Sequence, residues 1–140
     1  KDLIPFDIEE NVSETGFDFR KGRLLQEGFV SNNEQNQLVG CGYDHYFLFD
    51  NQVARQVIVK DNESGRIMKI KTDQPGMVMY TANGMQEGIM LNNLKSKKYL
   101  GVCFETQAPP ASLWLKDLPS ITLLPNETYK KQTIFSFGIE

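Results

Sequence analysis

The 140-residue chain has the length of one domain, and its 40% hydrophobic and 11% aromatic content supports a sizeable core, which excludes a disordered polypeptide. A formal net charge of −3, with Lys and Arg scattered among Asp and Glu, leaves no basic stripe for a nucleic-acid backbone. No apolar run approaches the roughly 20 residues that span a bilayer, and Lys1-Asp2-Leu3-Ile4-Pro5 lacks a signal peptide's apolar segment, so no membrane insertion is expected.

Period-two alternation recurs along the chain and helical spacing does not. Gly22 to Glu27 suggests one short helical turn, and Ser31 to Gln37 reads as a polar loop. Tyr43 to Phe49 reads as a strand. In Val53 to Lys60, Val53, Val57 and Val59 share one parity, and the run breaks at Asp61-Asn62-Glu63-Ser64-Gly65. Arg66 to Lys71 forms the next strand, ending before Gln74-Pro75-Gly76, and Met77 to Thr81 follows up to Asn83-Gly84. Strands are expected again at Tyr99 to Gln107, Ser120 to Leu124 and Tyr129 to Phe137. The last puts Tyr129, Thr133, Phe135 and Phe137 on one face. Strands this close together imply antiparallel pairing and an all-β fold. No repeat or linker divides the chain, so residues 1–140 read as one piece of a single domain.

Gly-rich phosphate loops and nucleophile elbows are absent, and a single histidine cannot make a multi-His metal site. Cys41 and Cys103 are too few and too far apart for a zinc site or disulfide scaffold, and are expected to be reduced and buried. The sequons at Asn11, Asn62 and Asn126 matter only in a secretory compartment, to which nothing else points; the cytoplasm is the expected location. Two acids in aromatic and apolar settings remain. Leu100, Val102 and Phe104 share one strand face, whereas Gly101, Cys103, Glu105 and Gln107 share the other. Small residues beside a carboxylate and an amide suit the approach of a polar ligand such as a sugar, although spacing alone equally fits an acid on an outer surface. Asp44 and His45 are adjacent, so on a strand they point to opposite faces and cannot both line one pocket. Asp44 alone fits a turn-terminating acid as well as a ligand-facing one.

Taken together, these segments are similar to those of the aldose 1-epimerase (galactose mutarotase) family. Gly42-Tyr43-Asp44-His45-Tyr46-Phe47 resembles the family's "DH-aromatic" strand. Ser64-Gly65-Arg66, Thr72-Asp73-Gln74-Pro75-Gly76 and Tyr80-Thr81-Ala82-Asn83 resemble its "SGR…T-x-QPG…YT-x-N" stretch. Cys103-Phe104-Glu105-Thr106-Gln107 resembles its "CLETQ" strand, Leu124 to Tyr129 its "LxPGExY" entry to the last strand, and Phe17-Asp18-Phe19-Arg20 its "PFDFR" segment. The chain departs from the pattern at Ala108 to Trp114, in place of a proline-rich loop, and at Met79, where an aromatic residue commonly precedes "YT" and would offer the sugar a stacking platform.

The resemblance implies a galactose mutarotase-like antiparallel β-sandwich, of which this chain is the C-terminal, incomplete portion. It implies a cofactor-free and metal-free isomerase that interconverts α and β anomers of an aldose, a hexose such as galactose or glucose. Glu105 would be the catalytic base, and Asp44 would bind substrate hydroxyls. The family's acid is a histidine upstream of "PFDFR" and is not in this chain; His45 belongs to the "DH" pair. The expected partner is therefore the N-terminal half of the same fold, the chain starting at Lys1 as an excision from a longer polypeptide. A noncatalytic carbohydrate-binding sandwich module is the alternative, with Asp44 and Glu105 merely holding hydroxyls.

Overall fold

The computed structural model describes residues 3, 10–50 and 56–140. In chain order these form α1 Gln26–Phe29, α2 Glu34–Leu38, β1 Asp44–Leu48, β2 Gln56–Lys60, β3 Arg66–Thr72, β4 Gly76–Tyr80, β5 Met90–Leu91, β6 Leu94–Lys95, β7 Cys103–Gln107, a 3₁₀ turn Pro110–Leu113 and β8 Thr133–Ile139. They fall into two compact units. One comprises Lys1–Phe47 with Val78–Glu105, the other Leu48–Met77 with Thr106–Glu140.

The first unit holds most of a sheet with strand order β1-β4-β7. Its core is aromatic. Tyr43 is wholly buried, with Phe17 and Phe19 edge-on at 5.6 and 5.3 Å, and Phe47 lies 5.7 Å from Phe19. The Tyr43 hydroxyl donates to the Gly16 carbonyl at 2.9 Å, which meets the polar need of a buried phenol. Phe17 and Phe19 are brought in by a turn in which Arg20 clamps Asp18, Nη2 to Oδ2 at 2.7 Å, holding that carboxyl down to about 2. The turn residues of the "PFDFR"-like segment thus deliver its two rings to β1.

The second unit holds an antiparallel sheet with order β2-β3-β8. Directly paired residues share a face, so Val57, Ile70 and Phe135 lie together, followed by Val59, Met68 and Phe137. Ile70 is fully buried, but exposure rises along this apolar row to 77% at Phe137 and 82% at Ile139. Gly65, at φ +69°, closes the turn before β3 where a Cβ would come within 2.8 Å of the Glu140 carbonyl.

Several expectations shift. The strand expected over Val53 to Lys60 is β2 from Gln56 onward; Val53 to Arg55 lie outside the described residues. Tyr99 to Gln107 narrows to Cys103–Gln107. The helical turn expected at Gly22 to Glu27 forms later, as α1. The polar stretch Ser31 to Gln37 is not a loop: Asn33 caps a helix by accepting the Gln35 N–H at 2.8 Å, and α2 follows. Ser120 to Leu124 is not a strand, because local bonds occupy it, Thr122 N–H to Ser120 Oγ and Leu124 N–H to Glu127 Oε2. The final strand begins only at Thr133, since Gln132 N–H is taken by the Asp73 carboxylate at 2.8 Å, and it runs on to Ile139. The β5–β6 hairpin was not expected. Its turn is Asn92-Asn93, with Asn92 at φ 50°, and Ser96 bonds both Ile89 and Gln86.

Candidate active site

Two backbone bonds set the faces of the first sheet. Thr81 N–H donates to the Tyr43 carbonyl at 3.0 Å, and Phe49 N–H to the Pro75 carbonyl at 2.9 Å, so β1 and β4 run antiparallel. Side-chain alternation then puts Asp44, Val78 and Tyr80 on one face and Tyr43, His45 and Met79 on the other. The second face is the aromatic core, where Met79 is buried. The first is open.

On that open face lies a pocket of about 390 Å³ lined by Leu3, Leu38, Val39, Asp44, Val78, Tyr80, Gly84 and Glu105. The two acids singled out in the sequence therefore share one concave wall, Asp44 from the edge strand β1 and Glu105 from β7. Both are exposed to the cavity, as a ligand-facing carboxylate must be. Tyr80 adds an aromatic ring and a hydroxyl that accepts the Gly84 N–H at 3.1 Å, which leaves the hydroxyl proton available to donate. Cys103, on the Glu105 side of β7, is exposed, and Cys41 is half-buried with Sγ 3.5 Å from Gln37 Oε1; both are free. The expected burial of the two thiols is thus incorrect, because one lies on the open face of β7 and the other in a left-handed turn at φ 66°. Among the described residues, no three His, Cys, Asp or Glu side chains gather as a metal site, and no helix is long and apolar enough to cross a membrane.

Desolvation at the pocket wall pushes the Asp44 carboxyl above its ordinary value. A raised carboxyl favours folding below its unfolded value near 3.9, and loses that advantage as pH rises through the folded value. At neutral pH the charge on Asp44 therefore opposes folding. Asp44→Asn is expected to raise stability by a few tenths of a kcal/mol, after solvent screening, as a small increase in urea midpoint.

His45 sits on the opposite face, as its adjacency to Asp44 requires. Its Nδ1 accepts the Asp44 main-chain N–H at 3.0 Å, and its ring meets Phe17 edge-on at 4.8 Å. Burial holds the imidazole below its ordinary value, while the Gln35 backbone pulls weakly the other way. The unfolded chain takes up this proton near pH 6.5 and the folded chain only at lower pH. Stability is thus whole above about 6.5 and falls as pH drops, by up to about 1.4 kcal/mol per pH unit, until the folded value is passed. The stability difference between wild type and His45→Asn, which cannot titrate, is expected to shift against wild type between pH 7 and pH 5.5.

Buried polar groups hold the approach to Asp44. The Tyr43 N–H donates to Thr81 Oγ1 at 2.9 Å, and the Thr81 hydroxyl lies 3.0 Å from Asn83 Oδ1, with Asn83 Nδ2 donating to the Val39 carbonyl. From α2, Asn36 Nδ2 donates to the Gly42 carbonyl at 2.7 Å. A Cβ at Gly42 would come within 2.6 Å of Thr81 Oγ1, so only glycine fits there. Thr81→Val keeps the shape but strands the Tyr43 N–H and the Asn83 oxygen. A loss of about 1–3 kcal/mol is expected, measured as the fall in denaturant midpoint.

Asp44 of the "DH" strand and Glu105 of the "CFETQ" strand thus line one pocket, beside the buried "YTAN" network, in a fold built from antiparallel sheets. The chain belongs to the aldose 1-epimerase family, whose sequence pattern matches residues 1–136. Among its relatives, a galactose mutarotase of Bos taurus is 31% identical, the match covering 98% of this chain and 39% of that protein, and an aldose 1-epimerase of Escherichia coli K12 is 27% identical over 98% and 40%. The crystal structure of a galactose 1-epimerase from Lactobacillus acidophilus superposes with TM-score 0.75 at 30% identity, covering 97% of this chain and 39% of that one. An aldose epimerase homologue from C. elegans, at 20% identity and TM-score 0.82 over 97% and 40%, shares the fold. The chain has the expected fold, an incomplete portion of the galactose mutarotase-like β-sandwich, and spans well under half the length of these relatives.

The sequence reading missed Tyr80. It took Met79, in place of the family's aromatic residue, as the loss of a stacking platform, but position 79 faces the core and Tyr80 faces the pocket. The signal was present in the alternation of Met77 to Thr81, which sets Val78 and Tyr80 against Met77 and Met79.

Proposed function

We propose that this chain carries the base side of an aldose 1-epimerase that interconverts the anomers of a hexose such as galactose or glucose. Mutarotation opens a cyclic hemiacetal, rotates about the C1–C2 bond and recloses the ring. A base must take the anomeric proton while an acid protonates the ring oxygen. Glu105 is the base and Asp44 holds sugar hydroxyls through charge-assisted hydrogen bonds. The observation that carries this reading is that Asp44 and Glu105 line one pocket of about 390 Å³, a volume suited to a small polar ligand.

The acid lies outside this chain, in an N-terminal half that completes the same single domain. His45 does not serve, since its ring lies on the core face and its Nδ1 is occupied by the Asp44 N–H. The bare end of the apolar row at Phe137 and Ile139 supports a covering polypeptide, because exposed apolar rows of this kind are ordinarily buried. Unpaired Cys41 and Cys103 fit a reducing compartment such as the cytoplasm.

Polarimetry on freshly dissolved α-D-galactose and α-D-glucose tests the proposal. The 140-residue chain alone is expected to show little acceleration, and the same chain joined to its N-terminal companion full turnover. Saturable sugar binding without turnover in the joined protein would instead make this a carbohydrate-binding module.

A further inference from the structure

Among the described residues Asp44 sits on an edge strand of its sheet, which creates a polar problem at the pocket. In an antiparallel pair the main-chain groups of successive residues point alternately toward and away from the neighbouring strand. Tyr43 points toward β4, since both its N–H and its carbonyl engage Thr81. Asp44 therefore points its N–H away from β4, off the edge of β1, where no strand among the described residues receives it. His45 Nδ1 receives it instead, at 3.0 Å.

The acceptor is held by packing. Phe17 stands edge-on to the imidazole at 4.8 Å and 68°, Tyr43 lies at 6.4 Å and 75°, and Nε2 is buried. Helix α2 is itself tied to the start of β1 by Asn36, through the Gly42 carbonyl at 2.7 Å. An imidazole whose Nδ1 accepts a hydrogen bond carries its single proton on Nε2 when neutral.

We propose that His45 is a positioning residue for the sugar pocket: neutral and protonated on Nε2, it accepts the Asp44 main-chain N–H through Nδ1 and so fixes the edge backbone from which the Asp44 carboxylate enters the pocket. Adjacency makes this possible, because the two side chains leave on opposite faces, one to the sugar and one to the core. The proposal rests on the reading that Asp44 holds sugar hydroxyls.

His45 is the single histidine of the chain, so its nitrogen signals are unambiguous in a ¹⁵N-labelled sample of the 140-residue protein. At pH 7 the result expected is a bare Nδ1, a protonated Nε2, and a scalar coupling across the hydrogen bond between the Asp44 amide nitrogen and Nδ1. A proton on Nδ1, or no coupling, overturns the proposal without any variant. Two substitutions add a functional readout: His45→Asn retains an acceptor near the position of Nδ1, whereas His45→Phe keeps the ring without one. Exchange of the Asp44 amide hydrogen is expected to be about tenfold faster in His45→Phe and near wild type in His45→Asn; equal exchange in the two variants contradicts it. In the joined protein, His45→Phe is expected to raise KM for D-galactose several-fold with kcat nearly kept, and His45→Asn to restore it. A coupling present with KM unmoved in His45→Phe, while Asp44→Asn does raise KM, overturns the positioning role alone. If Asp44→Asn also leaves KM unmoved, the sugar-site reading of Asp44 fails.

Discussion

Replacing Glu105 by glutamine in the joined protein is expected to lower turnover by about 10²–10⁴-fold, the range for loss of a general base. Glutamine keeps the shape of the side chain and still offers hydrogen bonds to a hydroxyl, but its amide lacks the basicity to accept the anomeric proton. Glu105 is exposed to the pocket, so its substitution removes no core contact and the fold is expected to persist. Loss of one hydrogen bond between a hydroxyl and a charged group costs only about 1.5–3 kcal/mol in affinity. Rate and affinity therefore separate. Stopped polarimetry for kcat, sugar binding by calorimetry and a melting curve on the same preparation read the three quantities. Weakened binding with turnover unchanged would make Glu105 a binding residue and remove the base assignment.

Gly28→Ala is expected to destabilise the first unit by about 1–3 kcal/mol, although it lies in a helix. Intrinsic propensity points the other way, since alanine gains roughly 0.5–1 kcal/mol over glycine inside a helix. Packing decides the sign. A Cβ at Gly28 would stand 2.3 Å from Tyr43 Cε2, 2.5 Å from Cζ and 2.8 Å from the hydroxyl oxygen. The ring cannot retreat cheaply, because Tyr43 is fully buried, bonded to Gly16 and walled by Phe17 and Phe19. In a four-residue helix, moreover, little propensity is there to gain. A fall in urea midpoint with unchanged m-value reads the cost. On a Tyr43→Leu background, which vacates the ring, the same glycine substitution should cost less, a coupling of about 0.5–3 kcal/mol. A neutral or stabilising Gly28→Ala would mean that the Tyr43 ring is free to move.

Much of the site was legible because strands report their faces directly. The parity that set Glu105 apart from Phe104 and Val102, and Asp44 apart from His45, is the parity found in the sheet. β3 alternates less cleanly and was legible mainly from the breaks that bound it, Asp61 to Gly65 and Gln74-Pro75-Gly76, the second of which also announces β4. What escaped was governed by partners that alternation does not encode. Ser120 to Leu124 has a strand-like composition, but serine and glutamate side chains near it satisfy its backbone locally. Helix α2 was hidden in a polar run whose one clear signal is the capping asparagine at position 33. The hairpin at Met90 to Lys95 is too short for any period, and only its Asn-Asn turn marks it. Tyr80 was overlooked for a different reason: the family pattern drew attention to position 79, one residue away and hence on the opposite face.

The proposed site has Asp44 and Glu105 gripping one sugar in one pocket. Its most direct test is a titration of the joined protein with D-galactose, following the side-chain carboxyl ¹³C signals of both residues. The two signals are expected to move together along a single binding isotherm. Movement at different sugar concentrations, or movement of only one signal while sugar is bound, would contradict the shared site.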